Sequence, residues 1–247
     1  MKNMKKSNIK PSERIAKTIA KSGLCSRRDA ERLIREGNVT LNKKKISQCN
    51  INVTDSDIIL INGKQLPKKK ETKLWIFYKE KGYLVTNNDQ LGRPTIFDKL
   101  KSRIKTRIIS VGRLDMNSEG LLLLTNDGEL ARKLEFPSNG YIRTYKVRVH
   151  GNVDVKKISS LKEGIEINGI KYKSIDAKLD KKQNTNAWLK LSIKEGKNRE
   201  IRKIMEHFGY TVNRLIRISY GPFNLCNLKA GDLKEINQRN LNKILKY

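Results

Sequence analysis

Asp115 stands in VGRLDMNSEGLLLLTNDG, residues 111–128, two positions after Arg113 and shortly before four consecutive leucines. A single carboxylate can act as a nucleophile or as a general base. Either role needs the ionised form, which a neighbouring guanidinium favours. Taken alone, an Asp just past a strand end reads as a turn cap. The rest of the chain makes it conspicuous: 54 Lys and Arg stand against 25 Asp and Glu, a formal net charge of +29. Two further residues have types and positions that suit such a carboxylate. Arg202, in NREIRKIMEHFG, lies at the edge of a helical stripe of Ile201, Ile204, Met205 and Phe208, from which its guanidinium can reach inward. Tyr145, in RTYKVRV, shares one strand face with Val147 and Val149 and reads as an aromatic at the rim of a core.

These side chains need elements to hold them. RIISVGRLD reads as a strand running into a tight turn at Gly112, with Arg113 and Asp115 on one side of the chain because they are two residues apart. LLLLT suits a strand buried on both faces, and NDGEL opens a helix with Asn126 and Glu129 as a capping-box pair. Glu119, the nearest second acid, falls in the Ser-Glu-Gly turn. Strand-like segments LWIFY, YLV, RIISV, LLLLT, YKVRV and WLKLSI are interspersed with helical patterns near 127–135, 154–162 and 198–209. There is no regular βα alternation. The fold class expected is therefore α+β, with a mixed, mainly antiparallel sheet flanked by helices.

Ahead of this region the pattern differs. ERIAKTIAKSG and SRRDAERLIREG read as two short helices; Ser26 and Asp29 form a capping box, and Gly23 and Gly37 are the stops. Arg27 and Arg28 flank the second helix N-terminus, where backbone N–H groups also point outward, a suitable corner for phosphate. Arg28, Arg32 and Arg35 recur at helical spacing. NVTLN and DIILING read as short strands, although the turn after Leu41 lacks a glycine. The expected organisation is a disordered basic tail over 1–11, a small α/β module over 12–66, a charged linker PKKKETK over 67–73, and a larger domain over 74–247.

Composition excludes several classes. Cys25, Cys49 and Cys226 are scattered, no CxxC occurs, and only two histidines are present, which argues against a zinc site or disulfide framework. No apolar run approaches the roughly 20 residues of a membrane span, and the basic N-terminus lacks the apolar segment of a secretory signal. A cytoplasmic protein is expected. No GxGxxG, GxxxxGK[ST] or HExxH occurs. The charge points to a nucleic-acid phosphate backbone rather than a membrane surface, since no basic amphipathic helix of membrane-binding type is evident. The Lys, Asn and Ile richness also matches AT-rich coding, so some lysines belong to an ordinary solvated face.

Two resemblances sharpen this reading. RIAKTIAKSGLCSRRDAERLIREGNVTLN, within 12–64, resembles the S4 RNA-binding domain. GRLD followed by SEGLLLLTNDG resembles the catalytic motif of pseudouridine synthases, in the branch that carries an S4 domain and modifies ribosomal RNA. Three more segments resemble that family in the same order: FYKEKGYLVTNNDQLGRPTIF (77–97), RTYKVRV (143–149) and EGKNREIRKIMEHFGYTVNRLIRISYGPFNL (195–225). The resemblance implies a catalytic domain of pseudouridine synthase fold. It makes Asp115 the catalytic acid, Arg202 its ion-pair partner and Tyr145 the ring that stacks on the target uracil. It gives Arg113 a part in holding the flipped nucleotide and makes Leu215 an apolar wall under the tyrosine. Arg27, Arg28 and Arg32 then belong to a face that grips structured RNA through shape and phosphates. The reaction breaks the bond between ribose C1′ and uracil N1, turns the base and rejoins it through C5. No electrons or phosphoryl groups are exchanged, so no cofactor or metal is implied. The implied partner is ribosomal RNA, of the large subunit, or an assembly intermediate that contains it, and the expected state is a monomer.

Three other readings remain open. A transfer-RNA substrate would also use Asp115. A non-catalytic S4-type ribosome-assembly protein would keep the charge without needing Asp115. A glycoside hydrolase would want a second acid across a cleft, and Glu119 has no evident environment to raise its pKa.

Overall fold

The computed structural model describes residues 12–245. The basic tail expected over 1–11 lies outside the described residues. The chain divides between Thr72 and Lys73 into two compact units.

In the first unit, helices Ile15–Lys21 and Arg27–Arg35 pack on a sheet ordered Lys44–Ile46, Val39–Leu41, Ile59–Ile61, Lys64–Gln65. Ile15, Ile19, Ala30, Ile34 and Val39 are buried between them. The Ser26 capping box forms: Asp29 N donates to Ser26 Oγ (3.0 Å), and Ser26 N donates to the Asp29 carboxylate (3.4 Å). Glu13 and Arg14, expected in the first helix, instead pair with Asn52–Val53 as a strand. The glycine-free hairpin closes because Asn42 and Lys43 both adopt left-handed φ, 49° and 68°. Asn42 is held there by its side chain, which accepts from Ile58 N (2.9 Å) and donates to Asp57 (2.7 Å).

The second unit is built on a nine-stranded sheet. Its main path runs Asp176–Gln183, Asn186–Ile193, Arg143–His150, Thr211–Tyr220, Glu119–Thr125, Leu74–Lys79, Leu233–Glu235, with Ile109–Val111 added on Glu119–Thr125. All pairings are antiparallel except Thr211–Tyr220 with Glu119–Thr125, so the sheet is mixed as expected. The leucine run lies at its centre, and Leu121 to Leu124 are each 0% exposed. Leu122 and Leu124 join a core with Tyr145, Val147, Leu189 and Ile204; Leu121 and Leu123 join the opposite one with Ile76, Leu130 and Leu134. An unbroken apolar run is what a strand covered on both faces requires.

Three local expectations change. The helix Gly128–Glu135 is capped by Asp127, whose carboxylate accepts from Glu129 N and Leu130 N, while Asn126 accepts from Lys73 N. YLV contributes only a bridge, Leu84 to Thr95, rather than a strand. Helices Ile96–Leu100 and Gln238–Leu245 were not anticipated. Among the described residues, no helix is long and apolar enough to cross a membrane.

One contact fixes the closeness of the parallel pair. Gly120 has φ +100°, and a Cβ built on it lies 2.3 Å from Arg217 O and 2.8 Å from Arg217 N. Both obstacles are backbone, so the neighbour cannot rotate away. Gly120→Ala is expected to lower the unfolding free energy by about 2 kcal/mol or more. Urea titration of the two proteins checks this; equal midpoints would show that the strands separate freely.

Candidate active site

A cleft of about 1140 Å³ opens in the second unit. Its walls come from the loop after Leu84, the GRLD turn, the start of Arg143–His150, the loop 196–199 ahead of helix Glu200–His207, and Leu215 and Arg217 of Thr211–Tyr220.

Asp115 lies four residues beyond the strand Ile109–Val111. Gly112 makes the turn with φ +69°, and its N–H donates to the Glu135 carboxylate. Leu114 is buried beneath, and Ser118 N donates to Asp115 O (3.0 Å). The loop is pinned from below by Lys79. This residue ends the strand Leu74–Lys79 and is 0% exposed. Its Nζ donates to Ser118 O (2.8 Å), Glu80 O (2.9 Å) and Asp115 O (3.0 Å), with Met116 O at 3.5 Å. Burial pulls the ammonium down to about 8, against the upward pull of Asp115, Glu119 and Glu80.

The Asp115 carboxylate is 39% exposed to the cleft, and Arg199 Nη1 sits 3.9 Å from it. The sequence expectation gave this ion pair to Arg202; the structure puts Arg199 there. Arg202 instead braces the loop, donating to Asn117 O (2.9 Å) and Val212 O (3.2 Å). Its guanidinium pKa is pushed down by burial and by Arg199, and drawn up by Asp115. The physical reason for the exchange is the αL turn at Arg199 (φ 52°), which is the N-cap of helix Glu200–His207 and precedes its regular periodicity.

Tyr145 is buried and faces Leu191 on one side and Arg217 on the other. Leu215, opposite Val147, belongs to the same core, and both Tyr145 and Leu215 line the cleft. Arg113 is exposed at the cleft wall. The structure thus gathers Asp115, Tyr145, Arg113 and Leu215 around one space, with Arg202 behind it. Arg27, Arg28 and Arg32 belong to the first unit. The first two are exposed in the opening turn of helix Arg27–Arg35, and Arg32 pairs with Asp29 (3.2 Å) and Glu36 (3.9 Å).

Several cleft residues were not anticipated. Lys79 lies beneath the cleft loop rather than in its lining. Glu200 is 3% exposed, and burial pushes its carboxyl up to about 7; its Oε2 accepts from Lys197 N (3.0 Å) and its Oε1 has no partner. Arg143, Arg217 and Tyr220 cluster at one end. Their signal, charge alternating with apolar residues in strands, is identical to that of a half-solvated sheet. Glu119 is not in a turn. It begins the strand Glu119–Thr125, is buried, and makes a two-pronged ion pair with Arg214 (2.7 and 3.0 Å). It is therefore engaged away from Asp115. Among the described residues, no group of three or more His, Cys, Asp or Glu could hold a metal ion.

Residues 73–207 match the RNA pseudouridylate synthase family model, and residues 13–59 match the S4 domain. The chain belongs to the RNA pseudouridylate synthase family. It is 48% identical to an uncharacterized RNA pseudouridine synthase of Rickettsia felis, over 94% of this chain and 100% of that one. It is 38% identical to ribosomal large subunit pseudouridine synthase B of Bacillus subtilis, over 94% and 96%. A crystal structure of pseudouridylate synthase superposes with TM-score 0.64 at 26% identity, covering 94% of this chain and 99% of that one. The protein is thus a pseudouridine synthase, an RNA uridine isomerase with an N-terminal S4 domain.

In this synthase the buried charges set two expected outcomes. Lys79→Met leaves carbonyls of residues 80, 115 and 118 without their donor. It should cost about 3 kcal/mol of stability and reduce kcat at least roughly tenfold; denaturant titration and single-turnover assays read the two effects. Glu200 has a folded pKa above its unfolded value of 4.5. Between about pH 4.5 and 7 the folded state holds the extra proton, so stability falls as pH rises through that window. Glu200→Gln should flatten this slope, leaving the variant relatively more stable at pH 8 than at pH 5 by about 2 kcal/mol. Parallel slopes would mean that Glu200 titrates normally.

Proposed function

We propose that this synthase converts a uridine of large-subunit ribosomal RNA to pseudouridine in the cytoplasm, acting as a monomer on the RNA or on an assembly intermediate. Asp115 is its essential carboxylate. The observation that carries this role is the mounting of Asp115. Its backbone is tied to the buried Lys79 ammonium, while its side chain reaches the cleft beside Arg199. Such a carboxylate is fixed in place and open to a substrate, as both available routes require: attack on C1′, or removal of the C2′ proton. Arg202 is a positioning residue, bonded to the loop carbonyl at Asn117.

Tyr145 and Leu215 form the apolar floor against which the extruded uracil stacks. Extruding a base costs a few kcal/mol, and the exposed Arg113 offsets part of that by filling the vacated space or holding the phosphate. Arg27, Arg28 and Arg32 of the S4 domain supply contacts to the RNA backbone. The ribosomal target is supported by the names of relatives such as the Bacillus subtilis enzyme and by the net charge of +29.

The test is pseudouridine mapping of ribosomal RNA from cells with and without the gene, by carbodiimide treatment and primer extension. One large-subunit signal should vanish, return with the native chain, and stay absent with Asp115→Asn. That variant should keep RNA affinity within about threefold, because uncharged Asn removes no phosphate contact. An unchanged ribosomal map would move the target to transfer RNA, and full activity of Asp115→Asn would remove Asp115 from the chemistry.

A further inference from the structure

Among the described residues, no acid forms an ion pair with the buried cation Arg217. It is 2% exposed. Its Nε donates to Leu121 O (2.7 Å), its Cζ lies 5.2 Å from the centre of the Tyr220 ring, and its Nη2 has no hydrogen-bond partner. A buried charge without a counter-charge is costly, and such groups persist where something else uses them. The acids that line the cleft are each engaged elsewhere. Asp89 is held by Arg93, Asp115 faces Arg199, Glu135 accepts from Gly112 N, and Glu200 accepts from Lys197 N.

The sheet register says what Arg217 is near. Tyr145 and Arg217 are direct cross-strand partners, so their side chains project to the same face, and both line the cleft. A register shift between Thr144 and Tyr145 pairs Thr144 with Ser219 and skips Ile218. Such a bulge re-aims the neighbouring side chains. Arg143 Cζ also lies 4.7 Å from the centre of the Tyr220 ring, and its Nη2 donates to the Tyr220 hydroxyl (2.9 Å). Tyr220 thus has both guanidiniums against its ring.

The reaction itself generates an anion at this place. When the C1′–N1 bond breaks, its electron pair leaves with the base. C1′ is meanwhile bonded to the Asp115 carboxylate or, after loss of the C2′ proton, forms part of a glycal. The uracil carries one negative charge spread over N1, O2 and O4 until its electron pair forms the C5–C1′ bond; C5 then loses its proton and N1 takes one up. We propose that Arg217 is the fixed positive charge that stabilises this detached uracil anion. The inference rests on the placement of uracil against Tyr145 argued above. A phosphate is the other anion that the substrate brings. It belongs to the RNA surface, whereas Arg217 lies beneath the cleft wall beside the ring on which the base stacks.

The experiment compares single-turnover rates on a short RNA spanning the mapped uridine with those on the same RNA carrying 5-fluorouridine there. Fluorine withdraws electrons and stabilises the uracil anion without the enzyme's help. Arg217→Gln should slow the uridine reaction about 100-fold or more, slow consumption of 5-fluorouridine at least about tenfold less, and leave RNA affinity within about threefold. Equal slowing on both substrates, or a loss confined to affinity as a phosphate contact would give, overturns the proposal. Arg217→Lys, which disturbs the packing but keeps a cation, carries the same comparison if the Gln variant fails to fold. It should stay nearer the native rate and keep the native ratio between the two RNAs; a shifted ratio equal to that of a charge-free site overturns the proposal. Conversion of the uridine RNA by the native chain reports separately on the substrate reading.

Discussion

The loop that carries Asp115 depends on one buried ammonium. Lys79 is inside the protein because it ends a strand buried along its whole length, and it is 0% exposed. It must therefore find acceptors in the chain, and it finds the carbonyls of 80, 115 and 118. The lysine's need for partners and the loop's need for a fixed shape are met by the same bonds. The carbonyls hold the loop while the Asp115 side chain faces the cleft. With Gly112 setting the turn and Leu114 sunk in the core, the loop has little freedom left. Preorganisation of this kind is worth more than an added contact, because a displacement of about 1 Å at a reacting group costs roughly two orders of magnitude in rate.

The charges divide into two populations. The outer one gathers RNA over long range and is screened by salt. The inner one is small and placed one group at a time: Lys79 under the loop, Arg202 behind it, Arg199 beside the carboxylate, and Arg143 with Arg217 around Tyr220. Burial depresses the proton affinity of Arg202, and the two charges beside it act in opposite directions, Arg199 downward and Asp115 upward. Groups this close have effects that will not simply add.

Much of this was legible in the sequence, and the failures share a cause. The leucine run announced the central strand, the Ser26 box announced its helix, and Gly112 announced the turn that carries Asp115. Each of those signals is local. The ion-pair partner of Asp115 was misread because helical periodicity selected Arg202, while the αL residue Arg199 belongs to no period. Asp127 replaced Asn126 as a cap because Asn126 is taken by Lys73 N, a bond between residues 53 positions apart. Glu119 was placed in a turn because its partner, Arg214, is 95 residues away. Lys79, Glu200 and Arg217 are ordinary charged residues in the sequence, and only the pairing of distant strands makes them buried.

The parallel pair at the centre of the sheet links these observations. Strands Glu119–Thr125 and Thr211–Tyr220 touch through Gly120 and Arg217, at a distance that only a glycine permits. That approach sinks the Arg217 backbone and lets its Nε reach Leu121 O. The other flank of the same strand carries the bulge opposite Thr144 and Tyr145, which turns Arg217 toward the face where Tyr145 lies. A small residue on one neighbour and an extra residue against the other together bring a guanidinium and an aromatic ring to one wall, five residues and one strand from the acid. Isomerisation asks for little more. The bond is broken and remade within one nucleotide, so the protein has to hold charge rather than supply electrons. The sheet is the element stiff enough to hold that charge still while the base turns.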